Sequence, residues 1–147
     1  MSKKHTPSQL AAGLILMAAL GLASIAQAAG PTAAPEGAEL YFIAPTDGAT
    51  VSSPVTVRFG LRGMGVAPAG VEIARTGHHH LLINAPLPPL DKPIPADAQH
   101  VHFGGGQTEA TIELPAGTHE LQLLLGDHLH VPHNPSVMSE RITITVQ

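Results

Sequence analysis

Apolar residues occupy every second position in several short segments of this chain, most clearly from residue 55 to 61, 110 to 114 and 142 to 146. A period of two residues turns one side chain inward and the next outward, which is typical of a half-buried β-strand. No segment after the first 28 residues shows a 3.6-residue period with capping residues. We predict strands over residues 40–43, 55–61, 77–84, 110–114, 119–125 and 142–146, with a seventh at 71–74.

Turn-forming residues separate these segments. Pro45, Asp47 and Gly48 follow the first predicted strand, and Pro115 and Gly117 precede the fifth. Short strands with turns between them predict an all-β fold, a single immunoglobulin-like β-sandwich of about seven strands. The chain contains no cysteine to bridge two sheets, so this prediction concerns architecture only.

Two stretches are too rich in proline to be ladder strands. Residues 85–99 contain five prolines, and residues 127–136 contain two. Long loops in a compact domain are often functional, and each of these lies beside a cluster of histidines. We therefore expect a functional site at one end of the sandwich.

The first 28 residues have the order of a secretory signal peptide. Lys3 and Lys4 precede an uncharged, largely apolar run, which ends in a small-residue motif at residues 26–28. Cleavage after Ala28 would remove this signal helix, leaving a flexible tether at residues 29–38 and a sandwich domain at residues 39–147. An uncleaved membrane anchor is the competing interpretation.

Export and charge restrict the functional classes. Cleavage would leave five basic and eleven acidic residues, with no basic stripe and no aromatic platform, which argues against binding nucleic acid or anionic membranes. We expect a periplasmic or secreted bacterial protein, with no stable membrane insertion after signal cleavage and no organic cofactor.

Eight of the ten histidines fall in three clusters. Neutral imidazole is the commonest protein ligand for transition metals. The clusters are His78-His79-His80, His100-x-His102 and His128-x-His130-x-x-His133. This composition indicates a histidine-lined site for Cu, Zn or Ni.

Strand geometry selects among these histidines. Residues i and i+2 of a strand face the same side, so His78 and His80 should project together, as should His100 and His102. His79 should face the opposite, more apolar side and donate a hydrogen bond. His119 continues an apolar strand face and is expected to be structural.

The third cluster lies where the fifth strand gives way to a loop. Pro132 restricts its own φ and favours extended geometry at the residue before it. We therefore favour His130 and His133 as the ligands from this segment. Asp127 could be a ligand or an acceptor that orients an imidazole. The predicted metal ligands are His78, His80, His102, His130 and His133, with His79, His100, His128, Asp127, Gln107 and Glu109 as additional or supporting residues.

Several known sites are excluded by the residues present. A blue-copper site requires a cysteine thiolate, and the zincin motif H-E-x-x-H is absent. The glycine run at residues 104–106 lacks the lysine and helix of a phosphate-binding loop. We expect it to form a tight turn that places Gln107 and Glu109 near the histidines.

These motifs together resemble a bacterial exported family known as domain of unknown function 4399. The resemblance rests on the GHHHLLIN segment at residues 77–84, HFGGGQTE at 102–109, LPAGTH at 114–119 and the segment from Gly126 to Pro135. It implies a small, exported, β-rich domain, and it implies no activity or catalytic residue.

Three functions remain open from the sequence. The first is a periplasmic domain that binds a transition metal. The second is a non-enzymatic module that binds an envelope protein or polymer through a pH-sensitive histidine network. The third is a metal-dependent enzyme with an open coordination position and a general base such as Glu109.

Overall fold

The computed structural model describes residues 30–147, and these residues form nine β-strands and no helix. The strands are β1 (Glu39–Ala44), β2 (Thr50–Val51), β3 (Val55–Arg62), β4 (Gly65–Val66), β5 (Thr76–Ile83), β6 (His100–His102), β7 (Glu109–Ile112), β8 (Gly117–Gly126) and β9 (Ile142–Val146). The predicted signal peptide lies outside the described residues. Within residues 30–147 no helix is long and apolar enough to cross a membrane.

The strands form two sheets. The smaller sheet has the order β1-β3-β7, and the larger sheet has the order β2-β9-β8-β5-β4. The short strand β6 also pairs with β5, so β4 and β6 share one edge of β5 while β8 occupies the other. Strand β5 is therefore enclosed on both edges, and all its residues except Thr76 are buried.

The main core lies between the two sheets. Val57 and Phe59 of the smaller sheet pack with Leu81, Leu123 and similar residues of the larger sheet. These residues sit at alternate positions of their strands, as the sequence pattern predicts. Burial of their apolar surface, worth roughly 25 cal/mol per Å², holds the two sheets together.

A second, smaller apolar cluster covers the outer face of the larger sheet. Leu82 of β5 and Leu124 of β8 project away from the main core and contact Ala85 and Ile94 of the first proline-rich loop, with Met138 beside them. Both faces of β5 are consequently buried. The odd-numbered residues from His79 onward face the main core, and the even-numbered residues from His78 onward face the loops.

The structure confirms an all-β fold built from two sheets. Residues 71–74, which the sequence analysis predicted as a seventh strand, form none. They lie in an exposed loop that turns at Val71, whose N–H donates to Pro68 O, and at Arg75, whose φ is 61°. Three short strands that the alternation did not predict, β2, β4 and β6, bring the number to nine.

The segment predicted to be a tether contacts the domain along part of its length. Ala34 N–H donates to Asn134 O at 3.1 Å, and Asn134 N–H donates to Thr32 O at 2.9 Å. Ala33 forms a parallel bridge with Asn134. Residues 32–34 are thus attached to the second proline-rich loop.

Candidate metal site

Two of the histidine clusters meet in the ladder between β5 and β6. His80 pairs directly with His102, and Leu82 pairs with His100. Directly paired residues of an antiparallel ladder project to the same face, so His80 and His102 stand side by side on the outer face of the larger sheet. Their ring centroids are 5.1 Å apart.

His78 and His130 complete a cluster of four imidazoles. The His78 ring lies 4.8 Å from the His80 ring and 5.0 Å from the His102 ring, measured between centroids. The His130 ring lies 4.8 Å from that of His102, 5.0 Å from that of His78 and 6.1 Å from that of His80. Each of the three sequence clusters therefore contributes to one place, which we call the four-histidine cluster.

The site was predicted from the sequence to lie at one end of the sandwich. The four-histidine cluster instead lies on a face of the larger sheet. Alternation along β5 turns His78 and His80 away from the main core, toward the two proline-rich loops. His130 O accepts a hydrogen bond of 2.8 Å from Ile94 N–H, so both loops meet above the imidazoles. The loops close the site from the side opposite the sheet.

Two glycines leave room for the rings. A Cβ at Gly126 would lie 2.8 Å from Cε1 of His80, and a Cβ at Gly104 would overlap the His102 ring. Any larger residue at these positions would displace an imidazole. Glycines that follow or precede histidine motifs are visible in the sequence, but their role depends on which rings fold against them.

The buried nitrogens of the cluster have no hydrogen-bond partner among residues 30–147. Both ring nitrogens of His78, both of His80 and Nε2 of His102 make no hydrogen bond to any residue that the structure describes. His78 and His80 are fully buried. A buried polar atom without a partner costs about 1–3 kcal/mol, so these five atoms destabilise the fold unless another group satisfies them.

Burial and mutual proximity keep these imidazoles neutral. Burial, followed by the nearby His130 and His102, lowers the pKa of His78 from 6.5 to about 4. Burial, followed by the other three histidines of the cluster, lowers the pKa of His80 to about 3. The pKa of His102 is also lowered, first by burial and then by His130. At neutral pH each of these three rings carries a free lone pair.

Three of the histidines are close enough together to hold a metal ion. One ring nitrogen from each of His78, His80 and His102 lies within 4.8 Å of the other two. Tetrahedral coordination at a metal–nitrogen distance of 2.0–2.1 Å requires nitrogens about 3.3 Å apart. Coordination would therefore require side-chain rotations that bring the three nitrogens closer together. This group of three histidines could therefore hold a metal ion, and His130 is placed to approach it.

His133 lies apart from the cluster. Its Nε2–H donates to Thr76 O at 3.1 Å, and its Cε1 is next to Gly77 on the core-facing side of β5. His78 and His80 project from the other side of the same strand. His130 and His133 were predicted to be ligands of the same metal ion. The structure instead keeps their rings apart, because β5 lies between them.

His79 faces the main core, as its position in the strand predicts. Its ring packs 5.0 Å from the Phe59 ring, between centroids, and its Nδ1 lies 3.1 Å from Gln107 O. Burial lowers its pKa to about 4, although the bond to Gln107 opposes the shift. The Gln107 side chain itself accepts a hydrogen bond from Gly105 N–H. Gln107 thus supports His79 through its backbone.

The remaining predicted residues lie outside the cluster. His100 pairs with Asp97 at 2.9 Å, and His128 is half-buried in the loop before His130. Glu109 lies on β7 in the smaller sheet, where it forms an exposed ion pair with Arg58. The turn after the glycine run carries the chain to that other sheet and so removes Glu109 from the histidines.

Asp127 organises the loop that carries His130. Its carboxylate accepts hydrogen bonds from Leu129 N–H at 2.9 Å, Val131 N–H at 3.0 Å and the Thr32 hydroxyl at 2.7 Å. Burial acts to raise the pKa of Asp127, but these bonds outweigh it and lower the pKa. Thr32 could not be predicted from the sequence, since nothing local to that segment indicates a contact with residue 127.

His119 has a structural role. Its Nδ1 lies 3.0 Å from the Asn84 amide nitrogen, which donates, and its Nε2–H donates to Pro115 O at 2.9 Å. Both ring nitrogens are therefore used, in contrast to those of His78 and His80.

The fold and the site define a two-sheet all-β domain with a buried histidine cluster on one sheet face. The model of the family called Domain of unknown function (DUF4399) matches residues 57–147, and the chain belongs to this family. No curated protein and no solved structure matches the chain significantly. All four histidines of the cluster lie within the matched region.

Proposed function

We propose that this protein is a metal-binding domain that holds one Cu, Zn or Ni ion between His78, His80, His102 and His130. The observation that carries the proposal is the convergence of one ring nitrogen each from His78, His80 and His102, which lie within 4.8 Å of one another. The buried nitrogens of these three rings have no hydrogen-bond partner among residues 30–147. A metal ion would bind the lone pairs that protein groups leave free. Buried polar atoms otherwise find partners in folded proteins.

The imidazole donors of the four-histidine cluster support the choice of Cu, Zn or Ni. Imidazole ligands suit Cu, Zn and Ni, whereas Mg and Ca prefer oxygen ligands. The Irving–Williams order places Cu(II) above the other two at a nitrogen site. His102 and His130 are half-buried, so an ion would reach the cluster from their side.

The proposed function is metal binding without catalysis. Glu109, the general base considered for a metal-dependent enzyme, pairs with Arg58 on the other sheet. Asp127, a second carboxylate near the cluster, has both oxygens engaged by the His130 loop and Thr32. Export to a periplasmic or extracellular location is part of the proposal and rests on the sequence of the first 28 residues.

Calorimetric titration of the metal-free protein with Cu(II), Zn(II) and Ni(II) tests this function. We expect one ion per chain with a Kd below about 10 μM for at least one metal. Alanine at His78 and His80 together should abolish binding. Weaker binding for all three metals, or binding unaffected by that double variant, would refute the proposal.

The same protein can be tested for the alternative function, a module that binds an envelope partner. Such a module would retain its partner in a pull-down with a chelator present, and its affinity would change between pH 5.5 and 7.5. Loss of all specific binding on chelation would instead support the metal site.

A further inference from the structure

His130 differs from the other members of the cluster because it lies in a loop. His78, His80 and His102 are fixed by the ladder of β5 with its neighbours. His130 has a φ of 68°, and its N–H donates to Asp127 O at 2.9 Å. A non-glycine residue in this left-handed region must be held there by its surroundings.

The Asp127 carboxylate provides much of that hold. One oxygen accepts from the N–H groups of Leu129 and Val131, the two neighbours of His130. The other oxygen accepts from the Thr32 hydroxyl at 2.7 Å. Asp127 is 4% exposed. Hydrogen bonds to a buried carboxylate are charge-assisted and are stronger than neutral ones.

The segment that contains Thr32 also fastens the far end of the same loop. Ala34 N–H donates to Asn134 O, and Asn134 N–H donates to Thr32 O. Residues 32–34 therefore contact the loop both before and after His130, at Asp127 and at Asn134. These three residues lie outside the region that the family model matches.

We infer that residues 32–34 are a strap that positions His130 in the metal site, with Thr32 as the positioning residue that acts through Asp127. The inference rests on the proposed function. Loss of the strap would free the loop and leave the three strand-borne histidines. Coupling between two sites is reciprocal, so metal binding would in turn tighten the strap.

Thr32→Val tests the inference, because valine has the same shape as threonine and lacks the hydroxyl. We expect metal affinity roughly 10-fold weaker, since groups that orient a ligand are worth about 10- to 100-fold. Thr32→Ser should restore affinity to near the wild-type value. Thr145→Val makes the same chemical change at an exposed position of β9 and should leave affinity unchanged.

A double-variant cycle separates positioning from general destabilisation. In the background of His130→Ala, Thr32→Val should weaken binding no further, because the ligand it positions is already gone. The electron paramagnetic resonance spectrum of the Cu(II)-loaded Thr32→Val protein should shift toward that of His130→Ala. An additive loss in the cycle would overturn the inference.

Hydrogen exchange reports the reciprocal effect. Metal should slow exchange at the amides of Ala34 and Asn134 in the wild-type protein, and the slowing should be lost in His130→Ala. Metal binding by the wild type with no effect of Thr32→Val would refute the strap and leave the metal site intact. Failure of the wild type to bind any metal would refute both.

Discussion

His80 and His102 stand opposite each other in the β5–β6 ladder with ring centroids 5.1 Å apart, although a proline-rich loop separates them in the chain. The direct pairing gives both rings the same face of the sheet. With His78 two residues before His80, the ladder fixes three imidazoles on rigid backbone before any metal binds. Preorganised ligands of this kind lower the cost of binding.

Matched pairs of variants should separate ligands from bystanders. On β6, His102→Ala should weaken metal binding at least 10-fold, whereas His100→Ala, two residues earlier, should change it little because His100 pairs with Asp97. In the loop, His130→Ala should weaken binding and His128→Ala should not. Isothermal titration of the four variants measures these affinities, and equal effects within either pair would contradict the assignment.

The space that Gly126 leaves beside the His80 ring should affect both stability and metal affinity. In Gly126→Ala the new Cβ would lie 2.8 Å from Cε1 of His80, so the imidazole must move. Overpacking of this kind costs about 1–3 kcal/mol, and metal affinity should fall as well. Gly65→Ala is the control, since its Cβ would make only ordinary contact, 3.4 Å from Thr76. Thermal denaturation with and without metal gives both quantities.

The metal-free protein should lose stability on mild acidification. The pKa of His78 and that of His79 are lowered to about 4, and that of His80 to about 3, mainly by burial. Unfolding restores a pKa near 6.5, so the unfolded chain binds more protons between these values. The contribution of these three histidines to the free energy of unfolding should therefore be constant above pH 6.5. It should fall as the pH drops toward 4.

The slope of that fall should approach about 1.4 kcal/mol per pH unit for each buried histidine. Urea denaturation of metal-free protein at several pH values measures it. The His79→Phe variant keeps an aromatic ring against Phe59. It should reduce this slope by the contribution of one buried histidine. A free energy of unfolding that does not change between pH 6.5 and 4.5 would be inconsistent with neutral buried rings.

His133 should contribute to stability and not to metal binding. Its Nε2–H donates to Thr76 O from the core-facing side of β5. His133→Ala should lower the free energy of unfolding by about 1–3 kcal/mol, because it leaves a cavity and an unpaired carbonyl. Metal affinity should stay within about 3-fold of wild type. This change is smaller than the loss of about 10-fold or more that follows removal of a group that orients a ligand. A loss as large as that of His130→Ala would return His133 to the ligand set.

Alternation predicted β3, β7 and β9 because one face of each strand is more buried than the other. It also predicted β8, although most of that strand is buried on both faces. Strands β3, β7, β8 and β9 lie within a few residues of the predicted segments. The short strands β2 and β4 have two residues each, too few for a periodic pattern, and they form only because a neighbouring strand pairs with them. Residues 71–74 contain apolar residues but pair with no strand in the described part of the chain, and they remain an exposed loop.

The sequence by itself determined that His78 and His80 share a face, because the two-residue repeat of a strand is a local property of the backbone. It also determined that His79 faces the core with Leu81 and Ile83. The tertiary structure alone decided which loop histidine joins them. His130 O accepts a hydrogen bond from Ile94 N–H, and Thr32 holds the His130 loop through Asp127. Ile94 and Thr32 are both distant from His130 in sequence. Local residue preferences cannot encode such contacts, because they exist only once the two sheets and the loops have packed.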